Sequence, residues 1–393
     1  MLGFLFAARI VFQGFEGASL ERVEAVAENH FRCHVKGDVD QDKRNRQANW
    51  YFFRVEGAAG HEITLDLVNL PGEYNYRPNR GAVRKETVPV WRDGMGEWRH
   101  FDSVEYDPLE PRLRIRLRPR SPQAWVAHVP PYTGRDLDLL LAGHRGSKWL
   151  RVESVGKTVE GRSIPLLTIT GPARPAAPRK KVVWLMFRQH GWEAGSSWTG
   201  EGAVRYLLSA QAAALREESI WKIFPLCDPD GVARGNVRFN RFGFDLNRNW
   251  DVEDKRKMPE IYAQRKAILD WVDAGKPVDL FLSLHNTETS EYLEGPPGPE
   301  PAHRKLAERF FAMLGKHSTF APTRPLFFAA ETTTPGKPGR MTVSQGLYKA
   351  RRLPAFIMEQ MIARNPKLGR APTIADRMRF GAELARSAFE AVR

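Results

Sequence analysis

The sequence predicts a two-domain α/β protein, in which an N-terminal antiparallel β-sandwich precedes an α/β domain with a mixed, largely parallel sheet. Residues 13 to about 127 alternate between apolar and polar positions, which is typical of strands with one buried face. Beyond them the apolar runs become continuous and alternate with helical segments. A chain of 393 residues is long enough to bury two cores. We therefore predict domains at 1–127 and 128–393.

Four alternating segments predict strands of the first domain: NWYFFRVEG, HEITLDLVNL, VPVWRDG and PRLRIRLRPR. The opening MLGFLFAARIVF has no basic residues before its apolar stretch and is too short to span a membrane, so we interpret it as an initial strand. No other segment approaches the roughly 18 uninterrupted apolar residues of a membrane span. We expect no membrane contact.

Five continuous apolar runs predict strands of the second domain that are buried on both faces: SIPLLTIT, KVVWLMF, IWKIFPL, VDLFLSL and LPAFIME. Between two of these runs, GSSWTGEGAVRYLLSA has the pattern of a helix start and body. This alternation of helices and buried strands is typical of an α/β domain.

Side chains that can bind a metal follow two of these strands. His190 and Glu193 come after KVVWLMF, and His285 comes after VDLFLSL. In open α/β sheets ligands bind beyond the carboxyl ends of the strands, so these two ends can converge on one ion. Two imidazoles and a carboxylate leave the fourth position of Zn²⁺ open for water, as in catalytic zinc sites. The HxxE spacing alone is a weak signal, but its place at a strand end favours a hydrolase with one zinc ion per chain.

A long segment, residues 225–251, is dense in Asn, Asp, Gly and Arg and predicts a structured loop with DPDG as a turn. A guanidinium group binds a carboxylate through two parallel hydrogen bonds. The loop holds five side chains that suit an anionic group: Arg238, Arg241, Arg248, Asn236 and Asn247. On composition alone, a solvated arginine-rich surface is an equal alternative.

The HxxE pair, the later histidine, DPDGVARGNVRFN and DLNRNW together resemble the zinc carboxypeptidases of the M14 family. The form GNxR followed closely by DLNR is similar to the cytosolic carboxypeptidase branch. Upstream, FEGASLERVEAVAENHFRCHVKGDVDQDKRNRQANWYFFRVEG resembles the accessory domain that precedes the catalytic domain in that branch. The resemblance covers nearly the whole chain apart from the first dozen residues, and it implies a zinc carboxypeptidase-type α/β domain behind a β-sandwich.

The resemblance implies a set of catalytic residues. His190, Glu193 and His285 would bind the zinc ion. Glu359, in LPAFIMEQ, would be the general base that activates the metal-bound water, and it follows an apolar run as that role requires. The structural alternative for Glu359 is a buried or capping glutamate on a core strand.

The resemblance also implies how a substrate binds. Asn247 and Arg248 would bind its C-terminal carboxylate, and Arg238 would polarise the scissile carbonyl and stabilise the oxyanion. The family usually has a tyrosine that closes over the substrate some two dozen residues before the catalytic glutamate. The segment AAETTTPGKPGRMTVSQGLYKAR has no tyrosine at that place, and Tyr348 is the only candidate nearby. We leave this role unassigned.

The chain is strongly basic, with a net charge of +14 and a pI near 9.9. Such a charge favours anionic partners, and acidic peptide tails or nucleic acid would both qualify. We find no helix-turn-helix, zinc-finger or RNA-binding signature and expect no nucleic-acid partner. The expected partners are peptide or protein C-terminal tails, with glutamate favoured by the resemblance, and the alternative is a basic solvated surface.

Two cysteines, Cys33 and Cys227, lie far apart in the sequence and indicate no disulfide framework. A reducing compartment fits this cysteine usage. We therefore expect the protein in the cytoplasm.

Three functional hypotheses remain. The first is a zinc metallocarboxypeptidase acting on peptide or protein C termini. The second is a zinc amidohydrolase that deacylates a small N-acyl amino acid, and the upstream domain argues against it. The third is a non-catalytic peptide-binding module, for which Glu359 and Arg238 would be unnecessary. The residue removed and the oligomeric state are left open.

Overall fold

The computed structural model describes residues 8–74, 76–173, 178–329 and 340–393. The first part of the chain is built from short strands joined by turns. They are β1 (Arg9–Val11), β2 (Arg22–Ala27), β3 (His30–His34), β4 (Asp38–Val39), β5 (Arg46–Gln47), β6 (Phe52–Glu56), β7 (Ile63–Val68), β8 (Gly72–Tyr74), β9 (Arg77–Asn79), β10 (Val90–Asp93), β11 (Arg99–His100), β12 (Glu105–Asp107), β13 (Arg112–Leu117) and β14 (Gln123–Ala127).

Two five-stranded sheets, ordered β1-β6-β14-β10-β11 and β12-β13-β7-β3-β2, pack around a shared apolar core. Strand β13 shows how alternation builds this core, since Leu113, Ile115 and Leu117 are buried while the arginines between them face outward. The pairing is antiparallel except between β3 and β7, which run parallel. A small sheet, β4-β5-β8-β9, lies beside them. The predicted N-terminal sandwich is confirmed.

The rest of the chain alternates strands and helices. The strands are β15 (Leu150–Lys157), β16 (Ser163–Thr170), β17 (Lys181–Phe187), β18 (Ser219–Phe224), β19 (Leu280–Thr287), β20 (Tyr292–Gly295), β21 (Phe327–Phe328) and β22 (Ala355–Met361). The helices are α1 (Gly134–Gly143), α2 (Ala194–Leu208), α3 (Ala213–Glu218), α4 (Pro229–Arg234), α5 (Pro259–Asp273), α6 (Pro301–His317), α7 (Val343–Arg351) and α8 (Ile374–Val392), with a 3₁₀ turn at Ala210–Ala212.

These strands form one mixed sheet of eight, ordered β15-β16-β18-β17-β19-β22-β20-β21, with parallel pairing at its centre. Strand β17 is buried on both faces: Val183 and Leu185 join the core with α2, α6 and α8, whereas Trp184 and Met186 join the core with α5 and α7. Burial on both faces of the sheet explains the continuous apolar runs in the sequences of these strands. The predicted α/β class is confirmed.

The DPDG segment differs from its predicted turn. It begins the short helix α4, because the Asp228 carboxylate accepts the backbone N–H of Gly231 at 2.9 Å and Pro229 occupies the first helical turn. In the described ranges, no helix combines the length and apolar character that a membrane crossing requires. Cys33 and Cys227 are both buried and unlinked.

Candidate metal centre and substrate cleft

Three neighbouring strands deliver polar side chains at one level of the central sheet. Within the paired registers, His285 on β19 lies opposite Glu359 on β22, and Glu359 lies opposite Tyr292 on β20. Directly paired residues project from the same face of a sheet. The strand ends therefore bring a predicted ligand and the predicted base together, with a tyrosine beside them.

A sharp turn after β17 positions the other two predicted ligands. Arg188 has a left-handed backbone with φ of 62°, and its buried guanidinium donates to the Gly191 carbonyl oxygen from Nε at 3.0 Å and from Nη2 at 2.7 Å. A Cβ at Gly191 would collide with the Asn236 carbonyl oxygen. The turn thus needs glycine at this position, and it orients His190 and Glu193 toward β19.

The three predicted ligands converge in the structure. One donor atom from each of His190, Glu193 and His285 lies within 4.8 Å of the other two, and all three side chains are buried. His190 Nδ1 lies 2.6 Å from Glu193 Oε1, and His285 Nδ1 lies 2.9 Å from Glu193 Oε2. Two imidazole nitrogens and a carboxylate grouped this closely fit a tetrahedral metal ion with one position left open.

The Nε2 atom of each imidazole contacts a further polar group. His190 Nε2 lies 3.1 Å from Asp245 Oδ1. His285 Nε2 lies 3.0 Å from Ser283 Oγ, which donates to Gln189 Oε1 at 2.8 Å. Metal-binding histidines typically place their second nitrogen against a carboxylate or another acceptor, which fixes the ring and its tautomer. These contacts leave Nδ1 of each ring facing Glu193.

Two carboxylates of this centre, those of Glu193 and Asp245, have lowered pKa values. Burial raises the pKa of Glu193, but the charges of His190 and His285 outweigh it and lower that pKa to about 2. Burial also raises the pKa of Asp245, but Arg238 and His190 hold it well below its usual range. Both groups are therefore anionic at neutral pH, as a metal ligand and its supporting carboxylate need to be.

Glu359 has a different environment. Burial and the nearby charge of Glu193 raise its pKa well above the usual range. Its Oε2 atom is buried and has no hydrogen-bond partner among the described residues. A buried carboxylate oxygen without a partner, facing a cleft, is unusual for a purely structural glutamate. Glu359 lines the cleft, and no described residue competes for this oxygen.

The predicted substrate-binding residues lie in the same cleft. Arg238 donates from Nε to Asp245 Oδ2 at 2.6 Å, and Arg248 donates from Nη1 to the Asn247 carbonyl oxygen at 2.8 Å. The Asn247 side chain accepts the backbone N–H of Val343 at 2.9 Å. Arg238, Asn247 and Arg248 all line the cleft with Glu359 and two of the predicted ligands, His190 and Glu193, whereas the fully buried His285 does not line it.

Three other residues of the sequence analysis lie elsewhere. Arg241 is exposed, and the Asn236 side chain donates to the Phe239 carbonyl oxygen at 3.2 Å, so neither lines the cleft. Tyr348 donates its hydroxyl to the Gly298 carbonyl oxygen at 3.0 Å and is also outside it. Much of the segment searched for a closing tyrosine, residues 330–339, lies outside the described ranges. Tyr292, which the sequence analysis missed, does line the cleft.

The cleft has a volume of about 400 Å³ and lies between the two domains. Its N-terminal side includes Arg46, Asn49, Arg80 and Arg84, and its other side includes His190 and Glu193 of the metal-ligand cluster. Asn49 donates to Glu288 Oε1 across the domain boundary at 3.2 Å. Among the described residues, five arginines and three glutamates line the cleft: Arg46, Arg80, Arg84, Arg238, Arg248, Glu193, Glu288 and Glu359.

Two family models match most of the chain. The zinc carboxypeptidase model matches residues 142–308, and the model of the cytosolic carboxypeptidase N-terminal domain matches residues 11–129. This chain belongs to the zinc carboxypeptidase family. The chain also carries the N-terminal domain found in cytosolic carboxypeptidases, in agreement with the resemblance seen in its motifs.

Individual relatives agree with this family. An uncharacterised protein of Zymomonas mobilis is 27% identical over 340 residues, which span 82% of this chain and 80% of that protein. Mouse cytosolic carboxypeptidase 6 is 33% identical over 300 residues, and mouse cytosolic carboxypeptidase 3 is 26% identical over 336 residues. The chain covers only 52% and 32% of the lengths of these two mouse proteins.

Solved structures show the same fold over nearly the whole chain. A metallo-carboxypeptidase from Burkholderia cenocepacia superposes with a TM-score of 0.82 at 21% identity, covering 98% of this chain and 99% of the other. A metallo-carboxypeptidase from Pseudomonas aeruginosa, in complex with (2-guanidinoethylmercapto)succinic acid, gives a TM-score of 0.78 at 22% identity, covering 98% and 100%. These two structures therefore share the fold of this chain across both of its domains.

Proposed function

We propose that this chain is a zinc-dependent carboxypeptidase that removes C-terminal residues, acidic ones in particular, from peptides or proteins. The observation that carries the proposal is one cleft, lined by His190, Glu193, Glu359, Arg238 and Arg248, with His285 completing the metal-ligand cluster beside it. Family membership supports the same reaction class.

The donor set fits one zinc ion per chain. His190 and His285 offer imidazole nitrogens, Glu193 offers an anionic oxygen, and no cysteine lies among them. When bound, zinc acts as a Lewis acid and lowers the pKa of a coordinated water toward ~7. The buried cluster and its outer hydrogen bonds to Asp245 and Ser283 support metal binding rather than a structural ion pair.

The surrounding residues would transfer the proton, stabilise the oxyanion and bind the substrate carboxylate. Glu359 would accept the proton of the attacking water and pass it to the departing amine. Arg238, fixed by Asp245, would hold the carbonyl oxygen as negative charge develops there. Arg248 and Asn247 would bind the terminal carboxylate, which restricts cleavage to the last residue of the chain.

The charge of the cleft supports acidic substrates. Within the described ranges, five arginines line it against three glutamates, and one of those glutamates would be bound to zinc. A cationic cleft favours anionic peptides through long-range attraction and short-range pairing. The buried, unlinked cysteines and the cytosolic branch of the relatives support a cytoplasmic enzyme.

The test is amino-acid release from peptides that differ only in their last residue, for example Glu, Lys and Phe, with bound metal measured on the same sample. We expect release that a chelator abolishes and that stoichiometric zinc restores, with Glu fastest. Faster release of Lys or Phe would reject the acidic preference and keep the enzyme class. Intact peptides in the presence of one bound zinc would reject peptidase activity and favour the N-acyl amino-acid hydrolase or the binding module.

One further reagent follows from the structural neighbours. (2-Guanidinoethylmercapto)succinic acid, which is bound in the Pseudomonas aeruginosa structure, is a first inhibitor to test here. Competitive inhibition would place the substrate in the metal-centred cleft.

A further inference from the structure

The residue before the first predicted metal ligand is a buried glutamine whose side-chain amide contacts two other segments of the chain. Gln189 is 1% exposed. Its Nε2 donates to the Leu246 carbonyl oxygen at 2.9 Å, and its Oε1 accepts the Ser283 hydroxyl at 2.8 Å. The same Oε1 lies 3.1 Å from His285 Nε2. None of the proposed catalytic steps uses this amide.

The orientation of the Gln189 amide follows from its partners. The Leu246 carbonyl oxygen can only accept hydrogen bonds, and it also accepts the Trp250 indole N–H at 2.9 Å. The amino group of Gln189 therefore faces Leu246, and its carbonyl oxygen faces β19. A reversed amide would set two carbonyl oxygens against each other and leave both without a donor between them.

This orientation selects one tautomer of His285. Gln189 Oε1 has no proton to donate, so a hydrogen bond with it requires a proton on His285 Nε2. Ser283 Oγ, which gives its own proton to Gln189, can accept the same N–H at 3.0 Å. The lone pair of the neutral ring is then on Nδ1, which lies 2.9 Å from Glu193 Oε2. Two acceptors at this distance suit a shared cation.

One further contact of His285 Nε2 is longer. Asn247 Nδ2 lies 3.3 Å from this atom, and Asn247 Oδ1 accepts the Val343 N–H at 2.9 Å. If Asn247 donated to Nε2, the ring proton would be on Nδ1, and Gln189 Oε1 would face an unprotonated nitrogen at 3.1 Å. The two shorter contacts, with oxygen atoms of Ser283 and Gln189, therefore decide the tautomer.

The two histidines of the metal centre are thus supported differently. His190 Nε2 faces the carboxylate of Asp245 at 3.1 Å, whereas His285 Nε2 faces a neutral amide at the same distance. Ser283 and His285 have no exposed surface. Because bulk water does not reach these atoms, it cannot replace the amide oxygen of Gln189 as the acceptor.

We propose that Gln189 is a positioning residue of the metal centre, whose amide holds His285 in the tautomer and orientation that point Nδ1 at the bound ion. Outer hydrogen bonds of this kind fix the ring of a metal-binding histidine and raise its basicity. The inference rests on the zinc binding of the proposed function. It adds a residue that acts through His285 rather than on the substrate.

The test compares zinc affinity with stability in two variants of Gln189. Gln189→Leu removes the acceptor, and we expect zinc affinity to fall by roughly 10–100-fold in competition with a chromogenic chelator. Gln189→Glu keeps an acceptor for His285 and should retain most of the wild-type affinity. In urea unfolding of the metal-free proteins the order should reverse, because the carboxylate of the Gln189→Glu variant is buried against the Leu246 carbonyl oxygen. A role in packing alone would give the same order in both measurements.

Gln264 supplies the matched control. It is 2% exposed, and its Nε2 donates to the Cys227 carbonyl oxygen at 2.9 Å, just as Gln189 donates to Leu246. It lies on helix α5 and belongs to none of the hydrogen bonds that support His285. Gln264→Leu should therefore lower the free energy of unfolding and leave zinc affinity at the wild-type value.

The cobalt-substituted protein gives a second readout that a purely structural role would not change. Its visible absorption depends on the geometry of the ligands, so Gln189→Leu should alter the spectrum and Gln189→Glu should stay closer to the wild type. Gln189→Met, an unbranched change that also lacks an acceptor, takes the place of Gln189→Leu should that variant not fold.

The outcomes separate this role from the proposed function. Wild-type zinc affinity and an unaltered cobalt spectrum in an acceptor-free Gln189 variant, or an equal loss of affinity in Gln264→Leu, would overturn the positioning role. Zinc affinities in the expected order without any peptide hydrolysis by the wild type would reject the proposed peptidase and retain the role of Gln189. A wild type that binds no zinc would reject both.

Discussion

The carboxylate of Asp38, in the N-terminal domain, accepts the backbone N–H of Arg238 at 3.0 Å and that of Val237 at 2.6 Å. Arg238 in turn donates to Asp245, which contacts His190. A continuous set of hydrogen bonds thus runs from the first domain to a predicted metal ligand. The N-terminal domain is part of the site's support as well as one side of its cleft.

Asp38→Ala should impair catalysis without removing any of the predicted zinc ligands. The Val237 and Arg238 N–H groups would lose their acceptor, which costs about 1–3 kcal/mol of stability and loosens Arg238, the proposed oxyanion-stabilising residue. We expect kcat to fall roughly tenfold, because a small misplacement of a catalytic donor has a large effect. Steady-state kinetics and urea unfolding check this, with the exposed Asp42→Ala as control. A wild-type kcat in Asp38→Ala would show that Arg238 keeps its place without Asp38.

Glu359→Gln should separate metal binding from turnover. The amide keeps the size of the side chain but cannot accept a proton, so kcat should fall by roughly 10²–10⁴ while bound zinc and KM change little. Metal analysis and single-turnover assays measure the two effects, and Glu390→Gln, an exposed change on α8, is the control. Undiminished turnover would remove Glu359 from the role of base.

Asp245→Asn should weaken zinc binding. Asp245 supports His190 through its Oδ1 atom and Arg238 through its Oδ2 atom, and loss of such a supporting carboxylate typically lowers metal affinity by about 10–100-fold. Competition with a chromogenic chelator gives the affinity, and Asp270→Asn, an exposed change on α5, is the control. If affinity is unaffected, the His190 orientation does not depend on this contact.

The close packing of helices α2 and α8 gives a stability prediction. Helices α2 and α8 approach so closely that a Cβ at Gly202 would collide with the Met378 backbone, and a Cβ at Gly381 with the Thr199 carbonyl oxygen. Either Gly→Ala change should destabilise the protein by roughly 1–3 kcal/mol through overpacking. Thermal and urea unfolding measure this.

The matched control for the glycine prediction is Gly315→Ala in helix α6, where a Cβ would have open space. Alanine is favoured over glycine in a helix by about 0.5–1 kcal/mol, so this variant should be slightly more stable than the wild type. Equal unfolding midpoints for Gly202→Ala and Gly315→Ala would contradict close packing of α2 against α8.

Much of the fold and several site residues were accessible from local patterns. Alternation marked β13, continuous apolar runs marked β17 and β19, and the strand-end positions of His190 and His285 predicted that they would meet. Periodicity reports how each strand is buried, and the ends of parallel strands share one edge of a sheet. The predicted domain boundary at residue 127 follows the same change of pattern and stays a prediction.

Residues whose role depends on distant partners were not accessible. Asp38, Tyr292 and Arg84 lie in segments with no motif of their own, and no local pattern distinguishes them from other surface residues. Arg241 is the opposite case. The sequence analysis named it as suited to an anionic group because it belongs to the same arginine-rich loop as Arg238, yet it is exposed to solvent. Composition cannot tell which arginine a loop turns inward.

The sequence by itself determined the secondary structure of most elements, the fold class and the residues that could bind a metal, because these depend on local propensity, periodicity and residue chemistry. Only the tertiary structure decided the register that sets His285, Glu359 and Tyr292 side by side. It also decided which arginines face the cleft and that the N-terminal domain supplies one of its sides. Such relations arise from packing between segments far apart in the chain, which no single segment encodes.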